Sequence, residues 1–334
     1  QEVWNGRMTA WVERSVLVTG GAGFIGHRLV RKLADLGANV TVVDDLSKGE
    51  ATNLDEVLNR IHLIKNSLLD SRVARKLLQN VDICFHLAAR IGGIGYFHKT
   101  PAESLRDNSI MNFNLWDAAR ETNVKIVCLS SSMVFERTEI FPTPETAILS
   151  SPPPMSGYGF SKLVAEYIAR TYYEQYGIKY LIVRPFNAYG PGELPGDYVG
   201  YAHVIPDLIK RTLSGQYPLE ILGSGDQTRS YTYVDDIADA IIYLSERCEN
   251  NDFNIGTGVE TSVLDLARKI WKLCGRIEPF EVKSAPSFQY DVQRRIPDIS
   301  KILELGWRPK VDLDEGLSIS INWQKSKENQ APHE

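Results

Sequence analysis

Short apolar runs alternate with amphipathic stretches along the first half of the chain. SVLVTGG, from Ser15, is a valine and leucine run that ends in glycines. FIGHRLVRKLADLG repeats its apolar positions every three or four residues, which predicts a helix stopped by Gly37. Further strands are predicted at NVTVVDD, IHLIKNS, VDICFHLAA, VKIVCLSSS and IKYLIVRP. Helices are predicted at DSRVARKLLQN, from Pro101 to about Thr122, and at GYGFSKLVAEYIARTYYEQYG, which Gly177 stops. The strand runs are continuously apolar, as suits parallel strands covered on both faces. Regular strand–helix repetition predicts an α/β, doubly wound parallel sheet.

After Pro185 the pattern changes. FNAYGPGELPGDYVG is rich in Gly, Pro and Tyr and reads as a functional loop. Helices are expected at His203–Leu213, Val234–Ser245, Val263–Cys274, Ile299–Leu305 and Leu313–Lys325. Two units are expected: a nucleotide-binding domain of residues 14–186 plus about 234–256, and a smaller mixed C-terminal substrate lobe of 187–233 and 257–325. The lobe is expected to cover the carboxyl ends of the strands. QEVWNGR, before Met8, is set aside as an extension, and KENQAPHE reads as a frayed tail.

Composition narrows the partners. With 43% hydrophobic and 24% charged residues in 334, the chain is of ordinary globular type and can bury a large core without staples. The net charge is −5 and the basic residues form no stripe, so nucleic acid is a poor partner. No run approaches a membrane span and no signal-peptide pattern opens the chain, so a cytoplasmic location is expected. Cys84, Cys128, Cys248 and Cys274 form no Cys-x-x-Cys, and the 6 histidines show no metal-ligand spacing. The cysteines are read as core residues of a reducing compartment, and no metal is expected.

Candidate chemistry begins at VTGGAGFIGHRLV. Gly20, Gly23 and Gly26 stand three apart between a strand and a helix. The first glycine permits a tight turn, the second lets backbone approach a pyrophosphate, and the third lets helix pack on sheet. The helix N-terminus offers free N–H groups to phosphate. About twenty residues on, Asp44-Asp45 ends the second strand; a carboxylate there can hold both ribose hydroxyls and would repel a 2′-phosphate. NAD is therefore expected over NADP, with Asp44 as the ribose ligand. The acids could also cap the following helix.

SGYGFSK places Tyr158 four residues before Lys162, on one helical face. Together with the glycine turn, HLAA, SSS and RPFNAYGP in this order, it resembles the extended short-chain dehydrogenase/reductase family, in particular its nucleotide-sugar epimerases and dehydratases. The resemblance runs from about Ser15 to Trp323 and implies a Rossmann-type fold. It implies Tyr158, Lys162 and Ser131 as catalytic residues, with Ser132 the alternative if the register is one off. A free phenol is a poor base at neutral pH, and a neighbouring ammonium favours its ionised form. By the same resemblance Gly20, Gly23, Phe24, Ile25, Gly26, Asp44, Ser67, Leu68, Leu87, Ala88, Ala89 and Lys162 contact the cofactor. Ser132, Asn187, His203, Arg229 and Arg295 contact substrate, with Arg294 the alternative to Arg295 and surface ion pairs with Asp235 or Asp298 the alternative to both. Ser67 stands where related epimerases often carry an Asp.

Position 133 separates the branches. Related dehydratases and decarboxylases carry Glu there, and GDP-mannose 3,5-epimerase and GDP-fucose synthase carry Cys. Met133 has no proton to exchange. This points to C4 epimerisation of a UDP- or GDP-linked hexose through a 4-keto intermediate. AARIGGIGYFHKTPAE and HVIPDLIKR resemble the GDP-sugar branch, so a GDP-sugar 3,5-epimerase remains the alternative, with His203 as its acid. A 4-keto-sugar reductase and a non-catalytic NAD-binding scaffold are further alternatives. A homodimer is expected by resemblance, through the helices near 101–122 and 157–176.

Overall fold

The computed structural model describes residues 10–91, 99–196, 202–287 and 292–328. Seven parallel strands form the central sheet: β1 (Ser15–Thr19), β2 (Asn39–Asp44), β3 (Ile61–Lys65), β4 (Ile83–His86), β5 (Lys125–Leu129), β6 (Tyr180–Pro185) and β7 (Asn251–Ile255). Their order is β7-β6-β5-β4-β1-β2-β3, with Val16 of β1 in register with Val40 on one side and Ile83 on the other. The winding reverses between β1 and β4, and the crevice beyond their carboxyl ends is where such sheets bind ligands. Six strands coincide with the apolar runs of the sequence. β7, NDFNI, does not: its polar residues take partners at the sheet edge, where Asp252 meets Arg184 at 2.7 Å and Asn254 Nδ2 donates to the Thr143 carbonyl at 3.0 Å.

Alternate residues of each strand serve opposite cores. Val16 and Val18 pack with Leu29 and Leu33 of α1 (Phe24–Asp35) and with Ile237 and Ile241 of the helix Val234–Arg247. Leu17 packs on the other face with Leu115, Trp116 and Ile168. That face is covered by α2 (Ser71–Leu77), α3 (Pro101–Ala119) and α4 (Gly157–Tyr176). The acidic run after β2 is followed by a 3₁₀ helix, Ala51–Arg60, that the pattern did not predict, because only Leu54 and Val57 of its ten residues are buried.

The later helices are α5 (Val204–Leu213), α6 (Val234–Arg247), α7 (Val263–Leu273), α8 (Ser300–Glu304) and α9 (Leu313–Glu328). α6 belongs to the sheet, as its buried Ile237 and Ile241 show. α5, α7 and α9 build a third core of their own from Leu208, Ile209, Leu266, Ile270 and Leu317. The strand Leu219–Leu222 adds Ile221 to it and pairs in parallel with Val282–Ala285. Among the described residues no helix is long and apolar enough to cross a membrane.

Candidate active site

The strand-to-helix turn after β1 shows why its glycines are needed. Gly20 has φ +67°, and a Cβ there would lie 2.8 Å from the Ala88 backbone. A Cβ on Gly26 would lie 2.2 Å from the Gly20 carbonyl oxygen. Carbonyl and helix therefore meet at a distance only glycine allows. No side chain caps α1, so the amides of its first turn are left to a ligand. Asp44 ends β2 and binds this turn: Oδ2 accepts from the Ala22 amide and Oδ1 from Leu46, each at 2.9 Å. Burial raises the Asp44 carboxyl above its usual range, and the two amides pull it back. Asp44 thus caps the glycine turn, and Asp45 takes the Ser47 amide at 2.9 Å, so neither caps the 3₁₀ helix that follows. An uncapped helix end, a glycine cradle and a carboxylate at the end of β2 fit a dinucleotide.

Under the turn lies a buried polar link. Thr19 Oγ1 accepts from the Leu87 and Ala88 amides at 3.2 and 3.1 Å. Its one proton therefore goes to His86 Nδ1, 2.8 Å away. Burial, and then the charge of Lys162, holds this imidazole neutral, down at about 3.

Tyr158 and Lys162 occupy the first turns of α4. Ser156 caps that helix by accepting from Gly159 N at 3.0 Å, and Glu136 holds Ser156 in turn, Oε2 accepting its hydroxyl at 2.6 Å. Glu136, which lies beyond the end of β5, thereby positions Tyr158. The Tyr158 hydroxyl is hydrogen-bonded to Ser131, which follows β5. Burial pushes the phenol up to about 12; the Ser131 bond and the Arg295 charge act against this. Lys162 Nζ lies 5.7 Å from the Tyr158 ring centre and donates to the Leu129 carbonyl at 2.7 Å. Burial brings this ammonium down to about 8, with Cys128 and Glu166 opposing. The expected easing of Tyr158 by Lys162 is therefore not seen in the chain alone; the lysine is turned to Leu129, and the cation acting on the phenol is Arg295.

The site residues expected from the sequence line one cleft of about 1050 Å³, from Gly20, Asp44 and Ser67 to Asn187, Arg229 and Arg295. Ser131 and Ser132 both line it, but Ser131 is the one bonded to Tyr158. Arg294 instead forks onto Glu260, at 2.7 and 2.9 Å, which leaves Arg295 as the arginine facing the cleft. Asp235 pairs with Arg28 at 3.7 Å. Asn187 (φ +42°) donates Nδ2 to the Ser230 carbonyl at 2.9 Å. His203 precedes α5 without capping it and bonds Glu193 instead. Burial works against the imidazolium, but the Glu193 charge and hydrogen bond outweigh it, so His203 titrates above its usual 6.5. Glu193 went unnoticed in the sequence; its signal was the Gly/Pro-rich loop that carries it. The glycine-rich stretch at 92–98 lies outside the described residues, as do 197–201 and 288–291.

The chain matches the model of the NAD dependent epimerase/dehydratase family over residues 16–256. It is 35% identical over 315 residues to a putative UDP-glucose 4-epimerase of Methanocaldococcus jannaschii, covering 93% of this chain and 98% of that one. It is 33% identical over 322 residues to UDP-glucuronic acid decarboxylase 1 of Xenopus tropicalis, covering 95% and 74%. The crystal structure of a UDP-glucose 4-epimerase of Thermotoga maritima with UDP-glucose superposes with a TM-score of 0.85 at 34% identity, over 94% of this chain and 99% of that one. With its parallel sheet, glycine turn and Tyr158–Lys162 helix, the chain belongs to the NAD-dependent epimerase/dehydratase family of nucleotide-sugar enzymes.

Proposed function

We propose that the chain is a nucleotide-sugar 4-epimerase, which oxidises a hexose at C4 and reduces the ketone from the opposite face. The observation that carries this is the make-up of the cleft around Tyr158: Ser131 is hydrogen-bonded to the phenol, and the neighbouring cleft residue at 133 is a methionine. One proton-exchanging group at the sugar hydroxyl suffices for moving a hydride; removing a proton from carbon needs a second. NAD, held by the glycine turn and Asp44, supplies the hydride acceptor and donor. Tyr158 takes and returns the hydroxyl proton, and Ser131 holds the same sugar oxygen. Lys162, fixed on the Leu129 carbonyl, keeps a positive charge at the floor of the site. Arg229 and Arg295 take the diphosphate, for which a guanidinium fork is suited. A UDP-linked sugar is favoured by the Thermotoga relative, whose structure holds UDP-glucose. The aromatic surface of α3 and α4, with Phe113 46% and Tyr167 60% exposed, supports a homodimer through these helices.

A second reading is favoured by His203 and Glu193. They place a protonatable pair in the cleft, which a 3,5-epimerase would use on carbon. The purified protein, given NAD⁺ and UDP-glucose, UDP-glucuronate, UDP-GlcNAc or GDP-mannose in deuterated water, distinguishes the two by NMR. A C4 epimer without deuterium on carbon supports the first reading. Deuterium at C3 or C5 replaces it with the second.

A further inference from the structure

The cleft has one wall that neither the glycine turn nor Tyr158 explains. Leu208 and Arg211 of α5, Leu222 of the strand Leu219–Leu222, and Trp323 and Lys327 of α9 all face it. Arg211 ties two of these elements together, its Nη1 donating to the Glu220 carbonyl. α9 packs on α5 and α7, burying Leu317 and Ile321 in the third core. The start of α9 presses on the cleft wall: a Cβ at Gly316 would fall 2.1 Å from the hydroxyl of Tyr189, itself a lining residue. Trp323 lies seven residues on, two turns along the same side, and Lys327 one turn further. Trp323 is outside the third core, and its indole makes no hydrogen bond, ring contact or cation contact with the described residues.

We propose that Trp323 receives the base of the nucleotide sugar, stacking its indole on the base, while Lys327 donates to a base carbonyl. The inference rests on the nucleotide-sugar function proposed above. Every base offers a π face, so an indole at a cleft wall is a general platform for one. Selectivity comes from Lys327, which can donate but not accept. Uracil, thymine and guanine present a carbonyl at the edge, whereas adenine presents none. The wall thus sorts the substrate nucleotide from the adenine of the dinucleotide, which the same cleft must also take.

The test is calorimetric titration of the full chain, saturated with NAD⁺, with UDP and separately with pyrophosphate. Trp323→Ala is expected to weaken UDP binding by roughly tenfold to a hundredfold, the size of a lost base stack. Trp323→Phe should keep most of the affinity, and pyrophosphate should bind both variants as it binds the parent. Unchanged UDP affinity in Trp323→Ala overturns the inference and leaves the nucleotide-sugar function standing. Loss of UDP and pyrophosphate together also overturns it, since the cleft as a whole would then have changed. Failure of the parent to bind UDP, GDP or dTDP overturns the nucleotide-sugar function itself.

Discussion

Arg184 and Glu166 form a two-pronged ion pair with both side chains fully buried, Nε to Oε1 and Nη2 to Oε2 each at 2.7 Å. Ser130 donates to the same carboxylate at 2.6 Å, and Asp252 takes Arg184 from the other side. Glu166 stands one turn after Lys162 on α4, so the pair pins the helix that carries the candidate catalytic residues to β6. Removing Glu166 leaves buried Arg184 with Asp252 alone and takes the acceptor from the Ser130 hydroxyl. Glu166→Ala is expected to lose about 1.5–3 kcal/mol of stability, the scale of lost hydrogen bonds to a charged group, read as a lower urea midpoint. A loss below about 1 kcal/mol, the scale of a surface pair, would show that the pair holds nothing in place.

Tyr158→Phe removes one oxygen from a tightly packed site. Turnover is expected to fall about 10²–10⁴-fold, the range for a lost acid–base group, with the melting temperature almost unchanged. Activity within about threefold of the parent would mean that some other group carries the hydroxyl proton.

His27 gives the fold a pH limit. Its Nδ1–H donates to the Gly23 carbonyl at 2.9 Å, at the head of α1. Burial, with Arg28 and Arg31 nearby, brings the imidazole down to about 4, against the pull of the Gly23 bond and Asp235. The unfolded chain takes up this proton near 6.5, the folded chain only near 4. Stability from the neutral ring is therefore complete above about pH 6.5 and is lost as pH falls toward 4, by about 3 kcal/mol in all. His27→Gln should flatten that part of a stability-against-pH curve. Parallel curves for variant and parent would contradict the assignment.

Gly26→Ala drives a methyl into the Gly20 carbonyl, and the turn must open to admit it. Overpacking of this kind costs typically about 1–3 kcal/mol, and the amides at the head of α1 lose their alignment. Both NAD⁺ affinity and melting temperature are expected to drop. A variant that binds NAD⁺ as tightly as the parent would show that the close approach of α1 to the turn is dispensable.

Much of this was legible in the sequence because burial leaves a pattern. β1, β4, β5 and β6 are covered on both faces and read as apolar runs, and β2 and the edge strand β3 keep enough Val, Ile and Leu to be read as strands. Tyr158 and Lys162 were legible because helical spacing puts them on one face, and Asp44 because it ends a strand after a glycine turn. β7 was hidden by Asn251, Asp252 and Asn254, whose polarity is answered by partners elsewhere in the chain. Glu166 and Arg184 share no spacing rule, being brought together across a helix and a strand. Nor could the sequence show that Lys162 turns to the Leu129 carbonyl, or that Glu193 meets His203, since such contacts depend on how loops cross the ends of the strands.

The position of β7 also governs the order in which the molecule can be assembled. β6 has an open edge until its neighbour arrives, and the contact between Tyr180 N and Asn250 Oδ1 at that edge spans 70 residues. During synthesis at about 5–20 residues per second, that edge waits several seconds for its cover. An unpaired parallel strand of Val and Ile is a template for association with other chains. The newborn protein is open to association through this edge in the interval, and a ribosome that stalls between the two strands prolongs it.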